Sequence, residues 1–160
     1  MRIGIGYDVH QCVMDGELII GGIEIPFEMG LLGHSDADVL LHSIIDALLG
    51  ALNLGDIGTI FPSSEKKYKD ISSVLLLKSV GEMVSNNHSR IINIDSTVVA
   101  QRPRLMGYMN PMRMKIAKTL SIPVESISVK ATTTDHLGFE GEGKGISAQA
   151  VVLLEESDEP

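Results

Sequence analysis

Asp8, His10 and His42 are the residues whose types and spacing point most directly to chemistry. Two imidazole nitrogens and one carboxylate oxygen make the ligand set of a catalytic zinc site with its fourth position open. Asp8 and His10 are two residues apart, so on a strand both side chains leave the same face and can hold one ion. Taken alone, the pair also reads as a surface aspartate beside an unrelated histidine, and His42 as a satisfied core residue of its helix. His34-Ser35-Asp36-Ala37-Asp38 stands just before that helix, where free amide N–H groups and the positive end of the dipole favour an anion such as phosphate. The plain alternative is a capping segment. Lys130-Ala131-Thr132-Thr133-Thr134-Asp135 offers three hydroxyls and a carboxylate at a strand end, a suitable kit for phosphoryl oxygens and a hydrated Mg²⁺, or else a threonine-rich edge strand.

The elements that must position these groups are readable in outline. Ile3, Ile5 and Tyr7 alternate with Gly4 and Gly6, which predicts a strand with one bulky face and one bare face open to close approach by another element. Leu18-Ile19-Ile20 and Ile23-Glu24-Ile25 flank Gly21-Gly22 and predict an extended segment with a break. From Asp38 to about Asn53 the run predicts a helix capped by Ser35 or Asp36, apolar nearly all round and so buried on most sides. Asp38, His42 and Asp46 fall at i, i+4 and i+8 on one stripe, with Asp46 offered as a partner for the His42 imidazole. The turn residues of 55–62 predict an ordered loop, and the polar stretch 63–70 a mobile one. A helix from about Ile71 to Ser85 and a strand from Arg90 to Ala100 follow. Asn110-Pro111 reads as a cap and first-turn proline opening a third helix to about Leu120. A strand Ser126 to Thr132, a glycine-rich turn Gly138 to Gly145, a strand Ile146 to Glu155 and a frayed end from Ser157 to Pro160 complete the chain. Strands and helices mix without strict alternation, which predicts an α/β (α+β) domain of two layers, a mixed β-sheet packed on helices.

The 160 residues are expected to form a single domain, 1–160, that buries roughly 70% of its unfolded-chain surface. Cys12 is the only cysteine; it is assigned to packing, and a disulfide framework or thiolate cluster within one chain is excluded, which fits a reducing compartment. Met1-Arg2-Ile3-Gly4 passes directly into alternating sequence and no apolar run approaches the length of about 18 that spans a membrane, so a soluble, untargeted, cytoplasmic protein is expected. A net charge of -8 with 13 Lys+Arg argues against a bulk nucleic-acid partner. Aromatics at 4% and no tryptophan argue against base-stacking platforms. Any phosphate ligand is therefore small, met by metal, amides or single cations. Gly138-Phe139-Glu140-Gly141-Glu142-Gly143-Lys144 matches a phosphate-binding P-loop only until Gly145, where Ser or Thr is required. Gly4-x-Gly6 lacks the rest of a dinucleotide fingerprint.

Met1 to His10, Gly33-His34-Ser35-Asp36-Ala37-Asp38-Val39, His42, Asp46 to Ala51, Leu54-Gly55-Asp56-Ile57-Gly58, Phe61-Pro62 and Val129 to Thr134 together resemble the 2-C-methyl-D-erythritol 2,4-cyclodiphosphate synthase family, in order over nearly the whole chain. The resemblance implies a homotrimer with active sites between neighbouring subunits, acting in non-mevalonate isoprenoid precursor biosynthesis. It implies conversion of 4-diphosphocytidyl-2-C-methyl-D-erythritol 2-phosphate to the cyclic diphosphate with release of CMP, as a phosphorus–oxygen lyase. By position it implies zinc on Asp8, His10 and His42, and a second ion, Mg²⁺ or Mn²⁺, near Asp135 with the substrate diphosphate. His34, Ser35, Asp56, Ile57 and Gly58, with Phe61, Pro62, Ser63, Ser64 and Glu65, would hold the methylerythritol phosphate end. Ala100, Gln101, Arg102, Pro103, Arg104, Leu105 and Met106, with Thr132 and Thr133, all of the neighbour, would form the cytidine and diphosphate pocket. Asp8, His10, Thr134, Asp135, Phe139 and Glu142 complete the implied substrate-binding set, and His34 and Thr133 would stabilise the transition state. The chemistry needs no protein nucleophile, since the substrate's own 2-phosphate attacks its β-phosphorus while positioning and charge neutralisation supply the rate.

Five positions depart from the family pattern. Asp135 stands where Glu is frequent, Ser63-Ser64 replace a more acidic stretch, and Arg104 replaces a frequent Lys, which keeps charge but changes geometry. Glu142 stands where some members carry an Arg lining a central cavity for isoprenoid diphosphates; three like charges near a threefold axis would repel such a ligand. Two other readings use the same residues: a zinc phosphohydrolase in which water takes the open metal position, and a non-catalytic trimeric module that binds a nucleotide or isoprenoid diphosphate.

Overall fold

Bare glycine faces decide how closely the first strand and first helix meet. In the computed structural model, which describes residues 1–156 and so leaves the expected fraying of 157–160 outside the described residues, β1 (Arg2–Met14) lies against α1 (Val39–Ala51). A Cβ on Gly4 would lie 1.8 Å from the Ala47 carbonyl oxygen, and one on Gly6 would lie 1.9 Å from that of Ser43. Only glycine permits this approach. Gly4, Gly6, Asp8 and His10 share one face of β1 by the two-residue repeat, so the glycines bring α1 down onto the strand and Asp8 and His10 continue the same face towards its first turn.

α1 is buried on nearly all sides, as its composition predicts, because it packs on the sheet and also against α3 (Ser73–Asn86). Its N-cap is Asp38, in place of the expected Ser35 or Asp36. The Asp38 side chain accepts from the Leu41 amide at 3.0 Å and also from Gly21 at 2.9 Å and Gly22 at 2.6 Å. Those glycines, at φ +63° and +70°, form the tight turn between β2 (Ile19–Ile20) and β3 (Ile23–Glu24). One buried carboxylate therefore ties the hairpin to the helix start, which accounts for Asp38 leaving the stripe assigned to it.

The main sheet has the order β4-β1-β7-β5-β6, built from β4 (Met29–Leu31), β5 (Ser89–Val99), β6 (Ile127–Thr132) and β7 (Gly145–Glu156). β5 and β6 are parallel and the other pairs antiparallel; the sheet is mixed, as expected, and the threonine run does end an edge strand. Helices pack on the sheet with α1, α3 and α4 (Met109–Leu120) around a core that includes Leu40, Ile44, Leu48, Leu77, Ile94 and Met112. No helix among the described residues is long and apolar enough to cross a membrane.

Three local expectations are corrected. The loop 55–62 contains a short helix, α2 (Ile57–Ile60), because Asp56 accepts from the Thr59 amide at 2.7 Å and starts a turn. α4 starts at Met109 and continues directly from a 3-10 turn over Met106–Tyr108, so Asn110 and Pro111 lie inside its first turn, where a missing N–H costs no intrahelical bond. The glycine-rich turn holds another short helix, α5 (Gly138–Gly141), closed by hydrogen bonds from the Gly141 amide to the Leu137 carbonyl and from the Glu142 amide to the Gly138 carbonyl. The stretch 63–70 includes a 3-10 turn at Lys66–Tyr68.

Candidate metal centre and flanking cavities

The ligand trio predicted from the sequence converges. His42 Nδ1 lies 2.9 Å and His10 Nε2 3.0 Å from the same Asp8 oxygen, Oδ2, and the two ring nitrogens are 3.1 Å apart. Asp8 and His10 are half-buried and His42 is buried. His10 Nδ1 lies 2.8 Å from the Leu32 carbonyl oxygen, which can only accept, so that nitrogen carries a hydrogen; Nε2 donates a second hydrogen to Asp8 when no cation lies among the three groups, and would present its lone pair to a cation held there. Groups of this kind within 4.8 Å of one another need a proton or a cation among them, and the donor set of two imidazoles and a carboxylate fits a divalent metal. Burial alone would push the Asp8 carboxyl up, yet hydrogen bonds and charge from His10 and His42 outweigh it and hold the group far below the ordinary carboxylate range. His10 is the mirror case: burial pulls its imidazole down, but the Asp8 hydrogen bond and charge win and raise it.

His42 is satisfied on its other side by a residue the sequence did not flag. Its Nε2 lies 2.8 Å from Ser73 Oγ and 3.1 Å from Ser35 Oγ. Asp46 is turned elsewhere and accepts from the Ile57 amide at 2.7 Å, which anchors the start of α2. Burial pushes the Asp46 carboxyl up, with that amide opposing.

The trio forms part of the wall of a cavity of about 370 Å³ that His34, Ser35, Ile57, Gly58, Phe61, Pro62, Ser63 and Ser64 also line. Tyr68, Ile71 and Leu76 line it too, unanticipated; Tyr68 packs edge-on to Phe61 with centroids 5.4 Å apart. The only signal for Tyr68 was a lone aromatic within a charged stretch. Asp56 caps α2 below this wall, and Glu65 pairs with Lys67 at 2.7 Å; neither lines the cavity.

A second cavity, of about 450 Å³, is lined by Ala100, Gln101, Pro103, Arg104, Leu105, Met106, Thr132 and Thr133, with Met109 and Ala131 added. The two cavities share no lining residue. Arg102 points elsewhere, 3.4 Å from Glu28 and over the Phe27 ring. Thr134 Oγ1 donates to the Leu137 carbonyl at 2.5 Å, and the Asp135 amide donates to Thr133 Oγ1 at 3.4 Å. Phe139 sits on α5 against Gly145, and Glu142 pairs with Lys144.

This geometry defines an α+β domain built around a candidate divalent-metal cluster. The chain belongs to the YgbB family, whose model matches residues 1–155. It is similar to the 2-C-methyl-D-erythritol 2,4-cyclodiphosphate synthase of Syntrophomonas wolfei subsp. wolfei, 59% identical over 157 residues that cover 98% of this chain and 100% of the relative. The bifunctional IspDF of Campylobacter jejuni superposes with a TM-score of 0.94 at 42% identity, covering 98% of this chain, which spans 42% of that longer protein. The CDP complex of Plasmodium falciparum IspF superposes with a TM-score of 0.87 at 35% identity, covering 98% and 97% of the two chains.

Proposed function

We propose that the protein, a single domain over 1–160, converts 4-diphosphocytidyl-2-C-methyl-D-erythritol 2-phosphate to 2-C-methyl-D-erythritol 2,4-cyclodiphosphate and CMP as a cytoplasmic homotrimer and a phosphorus–oxygen lyase. The observation that carries the reading is the convergence of Asp8, His10 and His42 within 4.8 Å on the wall of a cavity whose other lining groups include His34 and Ser35. The name of the Syntrophomonas relative supports the cyclodiphosphate product, and the CDP bound to the Plasmodium structure supports a cytidine diphosphate substrate.

Each residue's part follows from its place. Asp8, His10 and His42 hold the metal. Zn²⁺ there supplies Lewis acidity at the β-phosphate, and Mg²⁺ or Mn²⁺ bound with the diphosphate near Asp135 supplies further charge neutralisation. Ser35, Ile57, Gly58, Phe61 and Pro62 take the methylerythritol phosphate end, with Asp56 and Asp46 holding the amides of α2 in place. The cavity of Ala100, Gln101, Pro103 and Thr132 takes the cytidine and diphosphate. His34 and Thr133 donate to phosphoryl oxygens as charge builds in the transition state. The apolar walls at Ile57, Phe61, Ile71 and Leu76 exclude water, which would otherwise open the diphosphate to a linear product.

A trimer supplies both cavities to one substrate. The exposed face of β1 carries Ile3 at 74% and Ile5 at 72% exposure, with Tyr7 and Val9 beyond, and Val151 of β7 pairs with Ile5. A continuous apolar stripe of this kind calls for a partner, and further copies of the chain supply one. ³¹P NMR of the protein with substrate, Zn²⁺ and Mg²⁺ tests the reading: two coupled cyclic-diphosphate resonances growing with CMP are expected. Linear phosphates would replace it with a hydrolase, and an unchanged spectrum with a binding module.

A further inference from the structure

The far nitrogen of His42 opens onto a short buried chain that ends in a carboxylate. Ser73 Oγ, 2.8 Å from His42 Nε2, is also in contact with Asp36 Oδ1. Asp36 Oδ2 accepts from the Ser73 amide at 2.8 Å, so the same carboxylate caps the start of α3, whose own N-cap residue Ser72 makes no side-chain bond. Ser73 is buried to 0% exposure, in the first position of α3. A hydroxyl has one hydrogen, and a carboxylate can only accept. The Ser73 hydrogen therefore goes to Asp36, and its oxygen faces His42 as an acceptor. Ser35 Oγ, the other neighbour of Nε2, has no carboxylate partner and can serve either tautomer.

We infer that Asp36 and Ser73 are positioning residues that fix the hydrogen of neutral His42 on Nε2 and so present its Nδ1 lone pair to the metal. The Leu32 carbonyl does the same for His10 from the opposite ring nitrogen, Nδ1. The two imidazoles thus present different atoms, Nε2 of His10 and Nδ1 of His42, each selected by what lies behind it. The segment 34–38 acquires a second role: Asp36 links the metal site to the start of α3, while Asp38 caps α1. This inference rests on the metal reading of the trio.

Ser73→Ala removes the hydroxyl and leaves the backbone amide that Asp36 caps, whereas removing Asp36 would also strip that cap. Zinc affinity of Ser73→Ala, measured by competition with a chromophoric chelator, is expected to fall by about 10- to 100-fold. Ser73→Thr, which keeps the hydroxyl, is expected to recover most of it. Long-range ¹H–¹⁵N correlation on zinc-loaded, ¹⁵N-histidine-labelled protein reads the tautomer directly: with zinc in place of the Asp8 contact at 2.9 Å, the wild-type His42 ring carries its hydrogen on Nε2, and in Ser73→Ala that single assignment is lost. A purely structural Ser73 would lower the melting temperature and leave the nitrogen shifts alone. Undiminished zinc affinity in Ser73→Ala, or a hydrogen on Nδ1 in the zinc-loaded wild type, overturns the inference. His42→Ala separates the two levels: if it loses zinc while Ser73→Ala does not, only the relay fails, and if it keeps zinc the metal reading fails as well.

Discussion

His42 must meet different demands on its two nitrogens, a ligand on one side and a hydrogen-bond acceptor on the other, and Asp8 and Ser73 stand at those places. His42→Ala is expected to remove bound zinc and to lower the rate of CMP release by at least about 100-fold, since it takes away one of three ligands. Metal content by mass spectrometry alongside a CMP assay checks this; full turnover without zinc would contradict the assignment. The trio was legible in the sequence because Asp8 and His10 obey the strand repeat and His42 is one of few polar residues on a largely apolar helix. Their supports were not. Ser73 lies 31 residues from His42 and no local spacing announces the contact. Asp46 has the right i+4 spacing, but its carboxylate is taken by the Ile57 amide.

At the scale of elements, the site depends on how β1, α1 and the hairpin β2–β3 are clamped together. Gly6→Ala would drive a methyl to within 1.9 Å of the Ser43 carbonyl oxygen, a backbone atom that cannot move without shifting α1. A loss of about 3 kcal/mol of stability is expected from this overpacking, measured by urea unfolding, together with weaker zinc binding as His42 moves off Asp8. A stable variant with wild-type affinity would show that the close approach is not needed. Asp38 offers a test in pH. Burial pushes its carboxyl up to about 6 despite three amide donors, with Asp36 adding repulsion. The native state therefore holds this proton more tightly than the unfolded chain does, so the stability the group contributes is full below the unfolded value near 3.8 and is lost as pH rises through about 6. Wild-type stability relative to Asp38→Asn is thus expected to decline between about pH 4 and pH 7, and a rise over that window would contradict it. The bare strand face and the buried helix were visible as patterns, whereas the cap at Asp38 was not, because its hairpin partners Gly21 and Gly22 lie outside the local window. The short helices α2 and α5 were missed for a related reason: four residues give no periodicity to read.

At the scale of the whole molecule, the described residues form two separate cavities and an exposed apolar stripe on β1. A light-scattering mass near three copies of the 17.2 kDa chain is expected, and Ile5→Glu, which places a charge in the middle of the stripe, is expected to yield monomers without activity. Active monomers would mean that one chain suffices. The mixed sheet on helices followed from the irregular order of strands and helices, but assembly was implied only by resemblance, because an exposed Ile3 or Ile5 on β1 cannot be told from a buried one by alternation alone. The most direct test of the central claim, a cyclising site assembled from the metal half of one copy and the threonine half of the next, is to mix two inactive variants. His42→Ala spoils the first half and Thr133→Ala the second. After unfolding and joint refolding in equal amounts, random trimers contain intact sites wherever the unspoiled halves meet, and cyclic-diphosphate formation should return to about a quarter of the wild-type rate. A mixture that forms trimers of both chains and remains inactive would contradict the shared site.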